Sequence, residues 1–254
     1  MKATGTGSIA PCPLGVCDGS GFVFDEQTQI SSDCHCRPGR RREARMRRLE
    51  SQIPKRYRAI SFEHSEVIDI ERRNGIQVRE LRAYVRSLDA NLDAGRGLWL
   101  CGGTGTGKTA LAMIVSRMAL DAGRSVAIYS LPRLLSVIRE SIDSDGGLLG
   151  FLDLLATVDL LHLDDLGAEY RTDWTIEQLY SIINMRYQDQ RAVIVTSNPD
   201  PSQLADQLGD RTVSRLEGMC DVLPFHGADA RRDRFDAEPA SSIDELSIQA
   251  RRSA

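Results

Sequence analysis

Eight consecutive residues near the middle of the chain have the composition of a phosphate-binding loop. They are Gly102, Gly103, Thr104, Gly105, Thr106, Gly107, Lys108 and Thr109. Glycines let backbone N–H groups converge on a phosphate where side chains would block them. Lys108 is spaced to reach the β- and γ-phosphates of a nucleoside triphosphate such as ATP, and the Thr109 hydroxyl to ligate Mg²⁺. The residues therefore predict a site for a triphosphate and its magnesium ion.

The segments on either side of this loop are those that a phosphate-binding loop requires. Residues 97–101 are short and apolar, which predicts a strand, and residues 110–115 begin an amphipathic helix. A helix N-terminus adds unpaired amides and the positive end of its dipole. A glycine-rich turn with a chance Lys-Thr is the alternative interpretation, and the strand and helix favour the phosphate loop over it.

Two adjacent aspartates end a later apolar stretch, residues 159–166. Burying an unpaired carboxylate costs free energy, so two carboxylates at a strand end are expected either to be solvated or to take part in a functional site. Asp164 is predicted to orient Mg²⁺ or its water, and Asp165 to polarise an attacking water. An acidic turn without function is the alternative. His162, inside the same strand, is predicted to be a packed core residue.

Two further polar signals follow along the chain. Asn198 ends the next predicted strand just before Pro199, where its amide is positioned to hold a lytic water; strand-end turn chemistry is the alternative. Arg211 and Arg215 lie one helical turn apart. A guanidinium can stabilise charge on a transferring phosphoryl group and can be supplied by a neighbouring subunit. A solvated helix face is the alternative for both arginines.

Four of the six cysteines cluster near the start of the chain: Cys12, Cys17, Cys34 and Cys36. In a reducing compartment such a cluster indicates a metal rather than disulfides, and four thiolates suit tetrahedral zinc. His35 is an alternative ligand in place of Cys34 or Cys36, and free thiols are the remaining alternative. Metal binding would supply the folding free energy that so small a segment cannot obtain from a core. Cys101 and Cys220 are predicted to be core residues.

An arginine-dense stretch follows the cysteines. Between Arg37 and Arg48 there are seven arginines and one glutamate, and a helix is expected from about Arg41. These charges suit nucleic-acid phosphates, a partner-docking surface or simply a solvated helix. The stretch lacks aromatic residues for base stacking.

The rest of the chain alternates predicted strands and helices, which indicates an α/β fold with a parallel sheet covered by helices on both faces. An extended linker is predicted at 53–58, because Pro54 disfavours helix in its predecessor. Strands are expected at 125–129, 158–163, 192–196 and 221–225. Helices are expected at 76–88, 132–142, 148–156, 172–188 (capped by Thr172 or Asp173), 202–208 and 211–217. After Gly227 the polar composition predicts a disordered tail.

Length and composition restrict the class of protein. The 254 residues are 41% hydrophobic and 27% charged, with a formal net charge of −4. These values are ordinary for a globular protein. The absence of a 20-residue apolar run and of a signal-peptide pattern predicts a cytoplasmic protein without a membrane span. Four parts are expected: a cysteine- and arginine-rich module at 1–50, a linker with its leading helix at 51–95, an ATPase core at 96–227 and the tail at 228–254.

Taken together, the phosphate loop, residues 164–169, residues 196–198 and residues 209–216 resemble those of a known group. They look like the DnaC/DnaI-type replicative helicase loaders and the related IstB transposition ATPases of the AAA+ superfamily. Residues 53–57 and the cysteine cluster also resemble those of the loaders. The resemblance covers most of residues 10–227.

The resemblance implies roles for the residues named above. The phosphate loop would be Walker A, Asp164 and Asp165 Walker B, and Asn198 sensor 1. Arg215 would be an arginine finger acting in trans, with Arg211 as its alternative. It also implies an AAA+ P-loop sheet of order 5-1-4-3-2, ATP, Mg²⁺ and Zn²⁺ as bound groups, and ATP-dependent self-association. A DnaB-like replicative helicase and single-stranded DNA would be the partners.

The chain departs from the AAA+ pattern in two places. Asp165 stands where many AAA+ ATPases have Glu, which implies slow hydrolysis. The segment after Phe225 is too short and polar for the usual helical lid, leaving only Arg231 and Arg232 as sensor 2 candidates. An IstB-like helper of a DNA transposase is the alternative function. A P-loop small-molecule kinase is a more remote one, because the Asp pair, Asn198 and the arginine pair suit attack by water better.

Overall fold

The computed structural model describes residues 11–25, 29–37, 53–142, 147–167, 172–227 and 229. The predicted helix from Arg41, the residues Glu169, Arg231 and Arg232, and the predicted tail apart from Asp229 lie outside these ranges. The chain divides into two compact units, residues 1–52 and residues 53–254.

The first unit contains a small β-hairpin. Strand β1 (Phe22–Asp25) pairs antiparallel with β2 (Ile30–Asp33), so that Phe22 lies opposite Asp33. Arg37 forms an ion pair with Asp33, and its guanidinium lies 3.9 Å from the centre of the Phe22 ring. A two-stranded hairpin is only marginally stable on its own.

The second unit alternates helices and strands, as the sequence predicts. A single 3₁₀ turn, Lys55–Tyr57, precedes the first helix. The helices described are α1 (Ser65–Arg73), α2 (Gly75–Arg86), α3 (Leu88–Asp93), α4 (Lys108–Asp121), α5 (Leu131–Ile142), α6 (Gly147–Thr157), α7 (Asp173–Gln188), α8 (Pro201–Leu208) and α9 (Asp210–Met219). The strands are β3 (Gly97–Gly102), β4 (Val126–Ser130), β5 (Leu160–Leu166), β6 (Ala192–Ser197) and β7 (Cys220–Phe225).

The five strands form one parallel sheet in the order β4-β5-β6-β3-β7. When the five strands are numbered along this unit and the order is read from the β7 edge, it is 5-1-4-3-2, the order that the resemblance implies. Because all strands run in one direction, the carboxyl ends of β3, β5 and β6 meet at one edge of the sheet. Ligands of open parallel sheets bind at this edge, where the strand order reverses.

The strands read as continuous apolar runs because helices cover the sheet. Every residue of β6 is buried, and so is every residue of β3 except Gly102. Helix α4 packs across β3 to β6, and nine of its fourteen residues are buried. A helix so apolar around its circumference fits a central position in the fold.

A buried arginine joins the far end of the sheet to its helices. Arg186 of α7 is fully buried. Its guanidinium donates hydrogen bonds to four backbone carbonyls, those of Leu155, Val158, Asp159 and Ala192. It therefore connects the segment between α6 and β5 to the start of β6.

Most predicted elements are confirmed to within a few residues, with four corrections. The linker at 53–58 is not extended throughout: Pro54 is extended (ψ 141°), but a 3₁₀ turn follows it. A proline restricts the residue before it and is well suited to the start of a helical turn. Helix α1 was not predicted, nor was α3 as a separate helix. The strand predicted at 158–163 begins and ends later, at Leu160–Leu166.

Other details agree with the sequence. Thr172, rather than Asp173, caps α7: its hydroxyl accepts from the backbone N–H of Thr175 at 3.2 Å. Cys101, Cys220 and His162 are buried, as predicted. Within the described residues, no helix has the length and apolar character needed to cross a bilayer.

Candidate functional site

The predicted phosphate loop connects β3 to the first residue of α4. Gly105 (φ +74°) and Gly107 (φ +95°) adopt left-handed backbone conformations that favour glycine. Neither has room for a side chain: a Cβ on Gly105 would overlap the carboxylate of Asp229, and one on Gly107 would overlap Ile70. Side chains are therefore excluded at these two positions, and the loop ends at a helix N-terminus as an anion-binding loop must.

Lys108 connects the loop to the neighbouring strand end. Its side chain is 6% exposed. The ammonium donates to the carbonyls of Gly102 at 2.7 Å and Gly103 at 2.8 Å, and to Asn198 Oδ1 at 3.1 Å. A buried cation held in this way is well placed to bind an anionic phosphate.

A β-bulge presents the two aspartates at the end of β5. Leu163 pairs with Val195, but the next pair is Leu166 with Ser197, so β5 has one residue more than its neighbour. The extra residue lets Asp165 adopt φ +62°. Bulges redirect side chains at sheet edges, and both carboxylates line the same cleft as the phosphate loop.

Thr196 of β6 and Asn198, just after β6, hold the two aspartates by hydrogen bonds. The Thr196 hydroxyl donates to Asp164 Oδ1 at 2.7 Å and accepts from the backbone N–H of Asp165 at 2.8 Å. The Asn198 amide donates to Asp165 Oδ1 at 3.3 Å while its oxygen accepts from Lys108. Thr196 was not predicted as a site residue. Its position opposite an acidic strand end is the only sequence signal that could have found it.

These groups surround a cleft of about 760 Å³. Its floor contains the residues predicted from sequence: Thr104, Gly105, Gly107, Lys108, Thr109, Asp164, Asp165 and Asn198. Its other wall was not predicted and comes from the 3₁₀ turn and α1: Pro54, Arg56, Tyr57, Glu66, Asp69, Ile70, Arg72 and Arg73. Tyr57 and Ile70 give this wall an apolar part that could contact a base, next to exposed cationic side chains.

The donor set fits a magnesium triphosphate. Carboxylate and hydroxyl oxygens are the ligands that Mg²⁺ prefers, and Asp164 and Thr109 supply one of each in the cleft. The loop amides and Lys108 can bind phosphate oxygens, while Asp165 and Asn198 lie together at 3.3 Å and can orient a water.

Arg211 and Arg215 are not among the residues that line this cleft. Arg211 is exposed on α9, and Arg215 is partly buried against α7. Arg215 Nε donates to Asn184 Oδ1 at 2.6 Å, and its guanidinium lies 4.9 Å from the centre of the Tyr180 ring. The fold therefore holds Arg215 in a defined position outside the cleft of its own chain.

The four predicted cysteines come together in the first unit. Their sulfur atoms all lie within 4.8 Å of one another, including a Cys17–Cys36 separation of 3.6 Å and a Cys12–Cys34 separation of 4.0 Å. Tetrahedral zinc with sulfur at about 2.3 Å requires sulfur–sulfur distances of about 3.8 Å. The residues thus fit a zinc ion in both chemistry and spacing.

The pKa values of two of these thiols are shifted in opposite directions. Hydrogen bonds from backbone amides, that of Cys17 foremost, lower the pKa of Cys12 to about 6. Burial and the neighbouring thiols raise the pKa of Cys36. A divalent cation at the cluster would compensate the charge of the thiolates that ligate it. His35 is exposed and lies outside the cluster, which corrects the alternative that it replaces a cysteine.

The parallel sheet, the loop and the acidic pair define a P-loop nucleotide-binding protein with the strand order of the AAA+ class. The model of the family described as "IstB-like ATP binding protein" matches residues 30–234. The chain belongs to this family.

Named relatives point in the same direction. The replicative helicase loader DnaC of Escherichia coli K12 is 26% identical over 136 residues, 53% of this chain and 54% of that protein. The loader DnaI of Bacillus subtilis is 32% identical over 146 residues, 55% of this chain and 46% of that protein. The chain thus spans about half the length of these relatives. A crystal structure of the DnaC helicase loader, 25% identical, superposes with a TM-score of 0.58 over 68% of this chain and all of that one.

The zinc site can be tested on the purified protein. We expect about one equivalent of zinc per chain by elemental analysis, and a loss of most of it in Cys17→Ser and Cys34→Ser, because three thiolates hold zinc more weakly than four. His35→Ala is the matched control and is expected to retain the metal. Equal zinc loss in the His35 variant, or no zinc in the wild type, would contradict the assignment.

Proposed function

We propose that this protein is an ATP-binding and ATP-hydrolysing loader of a replicative helicase. The observation that carries the proposal is the arrangement of Lys108, Asp164, Asp165 and Asn198 around one cleft, in a chain whose family is ATP-binding and whose named relatives include helicase loaders. ATP binding would control assembly of the protein with itself, with the helicase and with single-stranded DNA.

In this proposal each site residue has one role. The loop amides and Lys108 bind the phosphates, and Thr109 and Asp164 hold Mg²⁺. Asp165, oriented by Asn198, polarises the attacking water. The side chain of Asp165 is shorter than the Glu that many AAA+ ATPases have at this position, so its carboxylate lies farther from that water. Hydrolysis is therefore expected to be slow until DNA or a partner protein adjusts the site.

Arg215 is proposed to complete the site of a neighbouring copy of the chain. Its support is the position described above, outside its own cleft yet fixed by Asn184 and Tyr180. A guanidinium delivered between subunits stabilises charge on the transferring phosphoryl group. Arg211, one turn earlier, is the alternative finger. Nucleotide turnover would then require self-association.

The first unit is proposed to contact the helicase. It exposes several large apolar side chains for a unit of its size: Leu14, Val16, Phe22, Phe24 and Ile30. Zinc at the four cysteines would hold the hairpin that carries three of these apolar side chains.

An IstB-like helper of a transposase would have the same nucleotide site. Partner binding is therefore what distinguishes the two functions.

The trans arginine makes a prediction about mixed proteins. Arg215→Ala and Asp165→Ala are each expected to bind ATP normally but to lose at least about tenfold in hydrolysis rate. Mixing them is expected to restore part of the activity, since some interfaces then combine an intact Asp165 with an intact Arg215. The measurement is steady-state phosphate release at equal total protein.

Arg133→Ala is the matched control, because Arg133 is an exposed arginine of α5 that does not line the cleft. It is expected to keep wild-type activity. The absence of any rescue in the mixture would mean that Arg215 acts within its own chain or only on structure.

Loading predicts nucleotide-dependent capture of the helicase. With ATP and Mg²⁺, the wild-type protein is expected to co-elute with the purified hexameric replicative helicase of the same genome in size-exclusion chromatography. In Lys108→Ala the fraction of helicase that co-elutes with ATP is expected to fall at least about fivefold, because ATP binding controls assembly in the proposal. Failure of the wild type to associate under any nucleotide condition would contradict the loader function, and stimulation of a transposase would favour the alternative.

A further inference from the structure

One buried polar side chain next to the site has no role in the function proposed so far. His162 is fully buried in β5, between Ile128 of β4 and Ile194 of β6. Its Nδ1 lies 2.9 Å from the Ser116 hydroxyl of α4, the helix that begins at Lys108. Its Nε2 is buried and has no hydrogen-bond partner among the described residues.

The unpartnered nitrogen faces the site. Side chains alternate along a strand, so His162 and Asp164 lie on the same face of β5. His162 Nε2 is 3.9 Å from Asp164 Oδ1, the same oxygen that accepts a hydrogen bond from the Thr196 hydroxyl. This distance exceeds a hydrogen bond by about 1 Å, which a small side-chain movement can close.

The two groups nearest the ring nitrogens, the Asp164 carboxylate and the Ser116 hydroxyl, decide where His162 carries its N–H. A carboxylate repels a nitrogen lone pair and attracts an N–H, so the favoured tautomer has its proton on Nε2. The Ser116 hydroxyl then donates to Nδ1 and fixes that tautomer.

We propose that His162, fixed by Ser116, is a positioning residue that orients the Asp164 carboxylate for Mg²⁺. His162 and Thr196 both approach Oδ1 and so leave Oδ2 directed to the cation. Partners of this kind orient metal ligands and strengthen metal binding. The inference rests on the proposed function, in which Asp164 holds magnesium. It also connects the helix of the phosphate loop to the metal-binding strand through Ser116.

If His162 only stabilised the fold, its replacement by an apolar residue would lower the stability of the protein. The positioning role predicts no such loss. An unpartnered buried nitrogen costs about 1–3 kcal/mol, which an apolar side chain of similar size would avoid. His162→Leu is therefore expected to fold at least as stably as the wild type, with Ser116 able to bond to the backbone of its own helix. A loss of magnesium affinity without a loss of stability is the signature of positioning.

The experiment measures binding of a fluorescent ATP analogue to the full chain, with EDTA and across a range of Mg²⁺ concentrations. For His162→Leu we expect the Mg²⁺ concentration at half-saturation to rise about tenfold, with the affinity in EDTA unchanged. His162→Gln can place an amide N–H toward Asp164 and is expected to stay within about threefold of the wild type. Ser116→Ala, which keeps a good helix former in α4, is expected to show an intermediate rise.

Ile194→Val is the matched control, since it trims the side chain next to His162 without changing a hydrogen bond. An unchanged magnesium dependence in His162→Leu and Ser116→Ala would overturn the inference, and so would an equal rise in Ile194→Val or no rescue by His162→Gln. If His162→Leu does not fold, Ser116→Ala and His162→Gln still decide. A wild type that binds no nucleotide with Mg²⁺ would instead contradict the proposed function.

Discussion

The buried ammonium of Lys108 is the interaction on which the site depends. It binds the carbonyls of Gly102 and Gly103, which fixes the turn from β3 into α4, and it binds Asn198, which fixes the end of β6. Through Asn198 the same network reaches Asp165. Removing the charge from solvent costs free energy that these oxygens offset in part, and a bound phosphate would add a full counter-charge.

A second network runs beside the first and sets the metal side of the site. The Thr196 hydroxyl forms hydrogen bonds with both aspartates across the bulge in β5. The Nε2 of His162 lies 3.9 Å from Asp164, and its Nδ1 lies 2.9 Å from the Ser116 hydroxyl. The two networks meet at the ends of β5 and β6. Because β6 is buried throughout and β5 is buried and paired with it from Leu160 to Leu163, a shift in either network would also move this edge of the sheet.

The sequence predicts the site's floor well, for a physical reason. Phosphate loops and acidic strand ends are local features, in which residue type and neighbouring apolar runs suffice to predict position. The cleft's other wall is not local. Helix α1 has only Val67 and Ile70 as buried residues, too short a pattern to distinguish from a loop. Tyr57 reaches the cleft only because Pro54 starts a 3₁₀ turn, and Thr196 becomes important only once the bulge exists. The positions of α1, Tyr57 and Thr196 therefore depend on tertiary contacts, which the spacing of apolar residues along the sequence does not predict.

Binding of a magnesium triphosphate by Lys108 and its loop can be measured by equilibrium titration. Fluorescence titration with an ATP analogue and Mg²⁺ would compare the wild type with Lys108→Ala and with Lys55→Ala, a lysine of the 3₁₀ turn that does not line the cleft. Lys108→Ala is expected to weaken binding at least about a hundredfold, equivalent to about 2.7 kcal/mol, while Lys55→Ala is expected to leave it unchanged. Equal affinity in the wild type and a folded Lys108→Ala protein would show that Lys108 does not bind the phosphates.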